Sequence, residues 1–95
     1  MSAYVILIRE QTTDAEELKI YREKGPAAAT GHNIKRHVAY GPFETLEGPQ
    51  PEGLVVLEFP TVAEAKAWYE SPAYQEALAH RQAGSISRVF IVEGI

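Results

Sequence analysis

Two charges stand where apolar side chains belong. Glu58 interrupts the run Leu54-Val55-Val56-Leu57-Glu58-Phe59, and Arg81 falls in the middle of the helical stripe Ala73, Tyr74, Ala77 and Leu78. A buried carboxylate or guanidinium without a partner is costly, so each needs a counter-charge or a route to water. Arginine and carboxylate fit one another as a two-bond fork. A crossover that folds the chain after the third strand back over the sheet brings the pair within reach. The expectation is a direct or water-bridged Glu58–Arg81 contact at the edge of a pocket. It is either a structural ion pair, or an anion clamp supplied by Arg81 when Glu58 turns away. Alternatively, Arg81 simply extends outward near a helix C-terminus, where the dipole favours a cation.

The same region holds Trp68, Tyr69 and Tyr74. Such residues more often fill a core than a ligand box, but their polar tips want partners when buried. Beside an Arg and a Glu they could line a small-ligand pocket. His37 adds the one neutral general-base candidate on a strand; its alternative is a solvent-facing strand residue. His37, Glu58 and Arg81 are thus the catalytic candidates, and Trp68, Tyr69, Tyr74 and Arg81 the ligand-binding ones. His32, His37 and His80 lack the spacing of a metal motif, and no phosphate loop, dinucleotide fingerprint or nucleophile elbow is present. The sequence therefore names no metal and no cofactor.

The elements that position these residues follow in order. Ala3–Arg9 reads as a strand that is apolar on both faces. Gln11-Thr12-Thr13 is a turn, and Thr13-x-x-Glu16 a capping box, with Asp14-x-x-Glu17 as a competing register. The helix runs to about Lys24 with Ala15, Leu18 and Tyr21 inward, and Gly25-Pro26 ends it; residues 26–29 could add one short turn. Ile34–Tyr40 alternates as a half-buried strand, with Ile34, Arg36, Val38 and Tyr40 on one face. Phe43–Glu47 could extend the pairing, and Pro49–Gly53 forms a mobile surface loop. Leu54–Phe59 is the third strand. Thr61-x-x-Glu64 caps a helix from Val62 that turns Val62, Ala65, Trp68 and Tyr69 to one side. Ser71-Pro72 breaks it and starts another. Ile86–Val92 closes the chain as a strand. The order β-α-β-β-α-β is that of a ferredoxin-like α+β fold with an antiparallel sheet.

The stretch VVLEFPTVAEAKAWYESPAYQEALAHRQ, with Val92-Glu93-Gly94 and Leu46-Glu47-Gly48, resembles the DUF1330 family of small bacterial proteins of unknown function. The resemblance covers most of the chain and implies a dimeric α+β barrel, in which βαββαβ units pair through their sheets. Where the family usually carries Arg-Gly-Gly, this chain has His37-Val38-Ala39.

Ninety-five residues bound the chain to a single domain, residues 1–95. A net charge of −4 argues against a nucleic-acid partner. The absence of cysteine rules out disulfides and thiolate chemistry, and fits a reducing cytoplasm. The N-terminus has neither the pattern of a signal peptide nor an apolar run long enough to span a membrane. Strands apolar on both faces call for a second layer on each side. Helices cover one face; a homodimer would cover the other. Three functions fit: a binder of a small organic acid or aromatic compound, a cofactor-free enzyme such as the oxygenases and isomerases on this kind of barrel, or an assembly protein with purely structural polar residues.

Overall fold

In a computed structural model that describes all 95 residues, the chain runs β1 (Ala3–Thr12), α1 (Ala15–Ala28), β2 (Lys35–Ala39), β3 (Gly53–Phe59), α2 (Val62–Glu70), α3 (Pro72–Gly84) and β4 (Ser85–Glu93). The strands form one antiparallel sheet in the order β2-β3-β1-β4. Ala3, Val5 and Leu7 of β1 are buried under the helices, and the alternate residues Tyr4, Ile6 and Ile8 face the other way. Val5, Phe59, Ala65, Trp68, Tyr74 and Leu78 form the core with Ala28. This is the ferredoxin-like α+β arrangement that the element order predicts. No helix is long and apolar enough to cross a membrane.

Several boundaries differ from the sequence-based expectation, each for a physical reason. β1 continues past Arg9 to Thr12, through the expected turn, because β4 pairs with it to Ser85 across an irregularity at Arg9/Gln11. Of the two capping registers at the start of α1, Asp14 is used: its carboxylate accepts from the N–H groups of Glu16 and Glu17. The helix does not stop at Gly25-Pro26. Burial of Ala28 carries it one turn further, at the loss of the hydrogen bond that a residue with an N–H would make at position 26. Phe43–Glu47 forms no strand. The loop before β3 is tied at its end: the Glu52 N–H donates to the Arg9 carbonyl at 2.7 Å, and its carboxylate meets Thr12 and Arg9.

The largest departure lies in β2. It is exposed along its whole length, as an edge strand can be, rather than half-buried. Arg36 pairs with Leu57 and Val38 with Val56, so His37 is the extra residue of a bulge. One inserted residue exchanges the faces of everything after it. Val38 moves to the helix-free face with His37, and Ala39 takes the helix side with Ile34 and Arg36.

Candidate functional site

Ser71 sets the geometry of the helix break. Its N–H and hydroxyl both donate to the Trp68 carbonyl, at 3.2 and 2.7 Å, closing α2. The same hydroxyl accepts from the Tyr74 N–H at 3.3 Å, opening α3 with Pro72 in its first turn. The Gln75 side chain adds a bond to the Tyr69 carbonyl at 2.7 Å. Trp68 and Tyr74, on the two sides of the break, are thereby fixed with ring centroids 4.1 Å apart. Phe59 stands behind Trp68 at 5.3 Å.

Between this aromatic group, α1 and the sheet lies a cavity of about 300 Å³. Its floor is Val5, Leu7, Val55 and Leu57; its walls are Tyr21, Gly25 and Pro26 of α1 and the cap residue Ala29 after it, with Trp68 and Tyr74. The exposed residues Arg22, Arg36 and Tyr40 stand at its mouth. The hydroxyls of Tyr21 and Tyr74 share a 2.8 Å hydrogen bond inside it. Burial, then the charge and hydrogen bond of Tyr74, push the Tyr21 hydroxyl far above the usual phenol range. It stays protonated at neutral pH and is not a base. Trp68 Nε1 is buried without a partner, a donor left open beside an apolar space.

Tyr40 shapes the mouth through an unusual backbone. Its φ is 58°, the one positive value outside glycine, a region that costs a non-glycine residue of order 1–3 kcal/mol. The conformation is held by its N–H, which donates to the Leu54 carbonyl at 2.9 Å. Its ring lies 4.7 Å from the Arg9 guanidinium and over Gly53, where any Cβ would overlap it. Burial, offset by Arg9, raises its hydroxyl pKa.

The expected Glu58–Arg81 contact does not form. β3 alternates, so Leu57 and Phe59 take the helix side and Glu58 the open side. There its carboxylate is 2.6 Å from His37 Nε2 and accepts from the Ser2 hydroxyl at 3.1 Å. Those two bonds, His37 first, hold its pKa below the usual carboxylate value. Alternation from Arg36, whose partner Leu57 is on the helix side, puts His37 on that same open face, 6.2 Å from the Tyr4 ring, and so away from the cavity it was expected to wall. Arg81 stays under the helices and does not reach outward: it is 4% exposed, with its guanidinium centre 5.9 Å from the Tyr21 ring. Tyr69 and Arg81 line a second cleft, while Trp68 and Tyr74 line the cavity. Tyr21 and Tyr40 are the cavity residues that sequence reasoning did not promote to the site. Tyr21 carried a signal, its place on the inward stripe of α1; Tyr40 carried only the Gly41-Pro42 that follows it.

The fold is shared with solved structures. A protein of unknown function from Rhodopseudomonas palustris is 23% identical, with a TM-score of 0.78 over 99% of this chain and 82% of that one. A dimeric ferredoxin-like protein of unknown function from Thermobifida fusca is 13% identical, with a TM-score of 0.66 over 99% and 92%. SnoaB, a cofactor-independent oxygenase from Streptomyces nogalater, is 8% identical, with a TM-score of 0.66 over 99% and 92%. No curated protein matches the chain. The model of the domain of unknown function DUF1330 matches residues 2–95, nearly the whole sequence, and the chain belongs to that family.

Proposed function

We propose that the protein is a homodimer that binds a small organic acid, its apolar body in the cavity and its anionic group at the mouth. The observation that carries this reading is the cavity itself: apolar floor and walls, an unpartnered indole N–H, and Arg22 and Arg36 at the entrance. A pocket of this size, mostly apolar with a few polar groups, suits a small molecule. The dimer is supported by the open sheet face. Tyr4, Ile6, Ile8, Leu54 and Val56 share it with Val38, Phe90 and Val92, the last three exposed in the single chain. A second copy would cover that patch, as the dimeric state of the Thermobifida protein illustrates for this fold.

Catalysis without a cofactor is the second reading, and the fold shared with SnoaB supports it. Binding is favoured over it because the cavity lining holds no carboxylate or imidazole to take a proton, and burial raises the hydroxyl pKa of Tyr21 and of Tyr40. Trp68 is the one tryptophan in the chain, so its emission reports on the cavity. Titration with cinnamate is expected to change that emission saturably, and Ala29→Phe, which fills the cavity, to abolish the change. Emission that ignores cinnamate and other small aromatic acids, or a response that survives Ala29→Phe, overturns the reading.

A further inference from the structure

We propose that the cleft beside the end of α3 is a second, separate site, in which Arg81 holds the carboxylate of a small apolar monocarboxylic acid. Arg81 is more than nine-tenths buried, yet its Nε has no hydrogen-bond partner and it takes part in none of the chain's ion pairs. The Tyr21 ring at 5.9 Å attracts the charge, but a ring face cannot take up five N–H donors. A buried guanidinium in this state has bonding capacity that an anion from outside the chain can take up.

The cleft has the room and the chemistry. It measures about 400 Å³ and is lined by Tyr69, Gln82, Ser87 and Val89 with Arg81. The Ser85 hydroxyl donates to the Arg81 carbonyl at 2.8 Å, so in the 2.8 Å contact between Ser85 and Ser87 it is Ser87 that donates. Neither serine keeps a proton for a ligand. The guanidinium is therefore the principal donor, with Gln82 and Tyr69 beside it and Val89 as apolar wall. One fork and few further donors suit a planar carboxylate on an apolar body better than a phosphate, which asks for more hydrogen bonds. The site is independent of the cavity at Trp68: of the cleft's lining residues, none lines that cavity.

The test uses benzoate, with uncharged benzamide as its control, followed by NMR on the full chain. Benzoate is expected to shift the Arg81 Nε–H resonance and the Ser87 and Val89 amides saturably, and benzamide to bind at least about tenfold more weakly. Arg81→Met should weaken benzoate by about tenfold or more, and Arg81→Lys by less, since it keeps the charge and loses the fork. If the Met variant fails to fold, the Lys variant carries the comparison. Ala29→Phe should leave the Arg81 shifts unchanged, which separates this site from the cavity. Shifts confined to the Trp68 indole, equal affinity in the Arg81 variants, or an Arg81 side chain already paired with a carboxylate of a second copy would each overturn the proposal.

Discussion

The two sides of the sheet are built from the same strands and do different things. On the helix side, Val5, Leu7, Leu57 and Phe59 meet Trp68, Tyr74 and Tyr21, and the packing leaves a cavity with arginines at its mouth. On the open side, Tyr4, Ile6, Val56 and Phe90 form an apolar surface, and its polar group is a closed set: Glu58 satisfied by His37 and Ser2. The buried charge that stays without an ion pair, Arg81, is on the helix side. The polar set at Glu58 is thus closed within one chain, while the buried polar atoms of Arg81 and Trp68 on the helix side have bonding capacity left over. That difference is why we place assembly on the first and ligands on the second.

The contrast is broken most strongly by removing one anchor from each side. Trp68→Ala deletes a buried ring that touches Phe59, Tyr69 and Tyr74, and should cost about 3–5 kcal/mol of folding stability. Phe90→Glu, on the open face, should leave the monomer's fold intact and weaken the proposed dimer by about 2 kcal/mol, some thirtyfold in its dissociation constant. Chemical denaturation and sedimentation read the two separately. A Phe90→Glu protein that stays dimeric at the parent's affinity, or a Trp68→Ala protein of unchanged stability, erases the distinction.

A smaller effect tests the polar part of the helix side. Tyr21→Phe removes one partner of the 2.8 Å hydroxyl pair and leaves the buried Tyr74 hydroxyl alone. The expected loss is about 1 kcal/mol, seen as a lower denaturation midpoint with an unchanged slope. Stability equal to the parent's would mean that Tyr74 finds another partner in the cavity.

Much of this was legible in the chain. The capping residues Thr61 and Ser71, the break at Pro72, the inward positions of Ala65, Trp68, Tyr74 and Leu78, and the order of strands and helices along the chain followed from spacing alone. The placement of Arg81 on that stripe was legible as well. The side of the sheet taken by Glu58 was not. Alternation set it opposite Leu57 and Phe59, but both faces are apolar, so nothing in the sequence said which face the helices cover. The bulge at His37 was equally silent, because an inserted residue in an exposed edge strand leaves no hydrophobic signature. It moved Val38 to the open face and Ala39 to the helix side; His37 lies on the open face by alternation with Arg36, and, as with Glu58, nothing in the sequence said that this face is the one the helices leave bare. Burial of Ala28, a tertiary effect, carried α1 past a Gly-Pro pair that reads as a stop.

The smallest expected effect concerns the open side's closed polar set. Glu58 has its pKa lowered by hydrogen bonds to His37 and then Ser2, and Glu52 has its own lowered by Thr12 and then Arg9. A carboxyl whose folded pKa lies below its unfolded value, about 4.3 for Glu, binds protons less readily when folded. Its contribution is fully present above the unfolded value and is lost as pH falls through the folded one. Acidification from about pH 6 to 3 should therefore destabilise the protein, and Glu58→Gln and Glu52→Gln should each flatten part of that slope. Both groups are solvent-accessible, so the changes will be small and weaker in high salt. Their difference carries the information. Glu58 sits on the face assigned to the dimer, so its share of the acid sensitivity should depend on protein concentration; Glu52, on the loop beside Arg9, should act alike at all concentrations. Denaturation across that pH range at two protein concentrations reads this directly. A Glu58→Gln protein whose acid slope matches the parent's at both would show that the His37–Glu58–Ser2 set contributes nothing to folding or assembly.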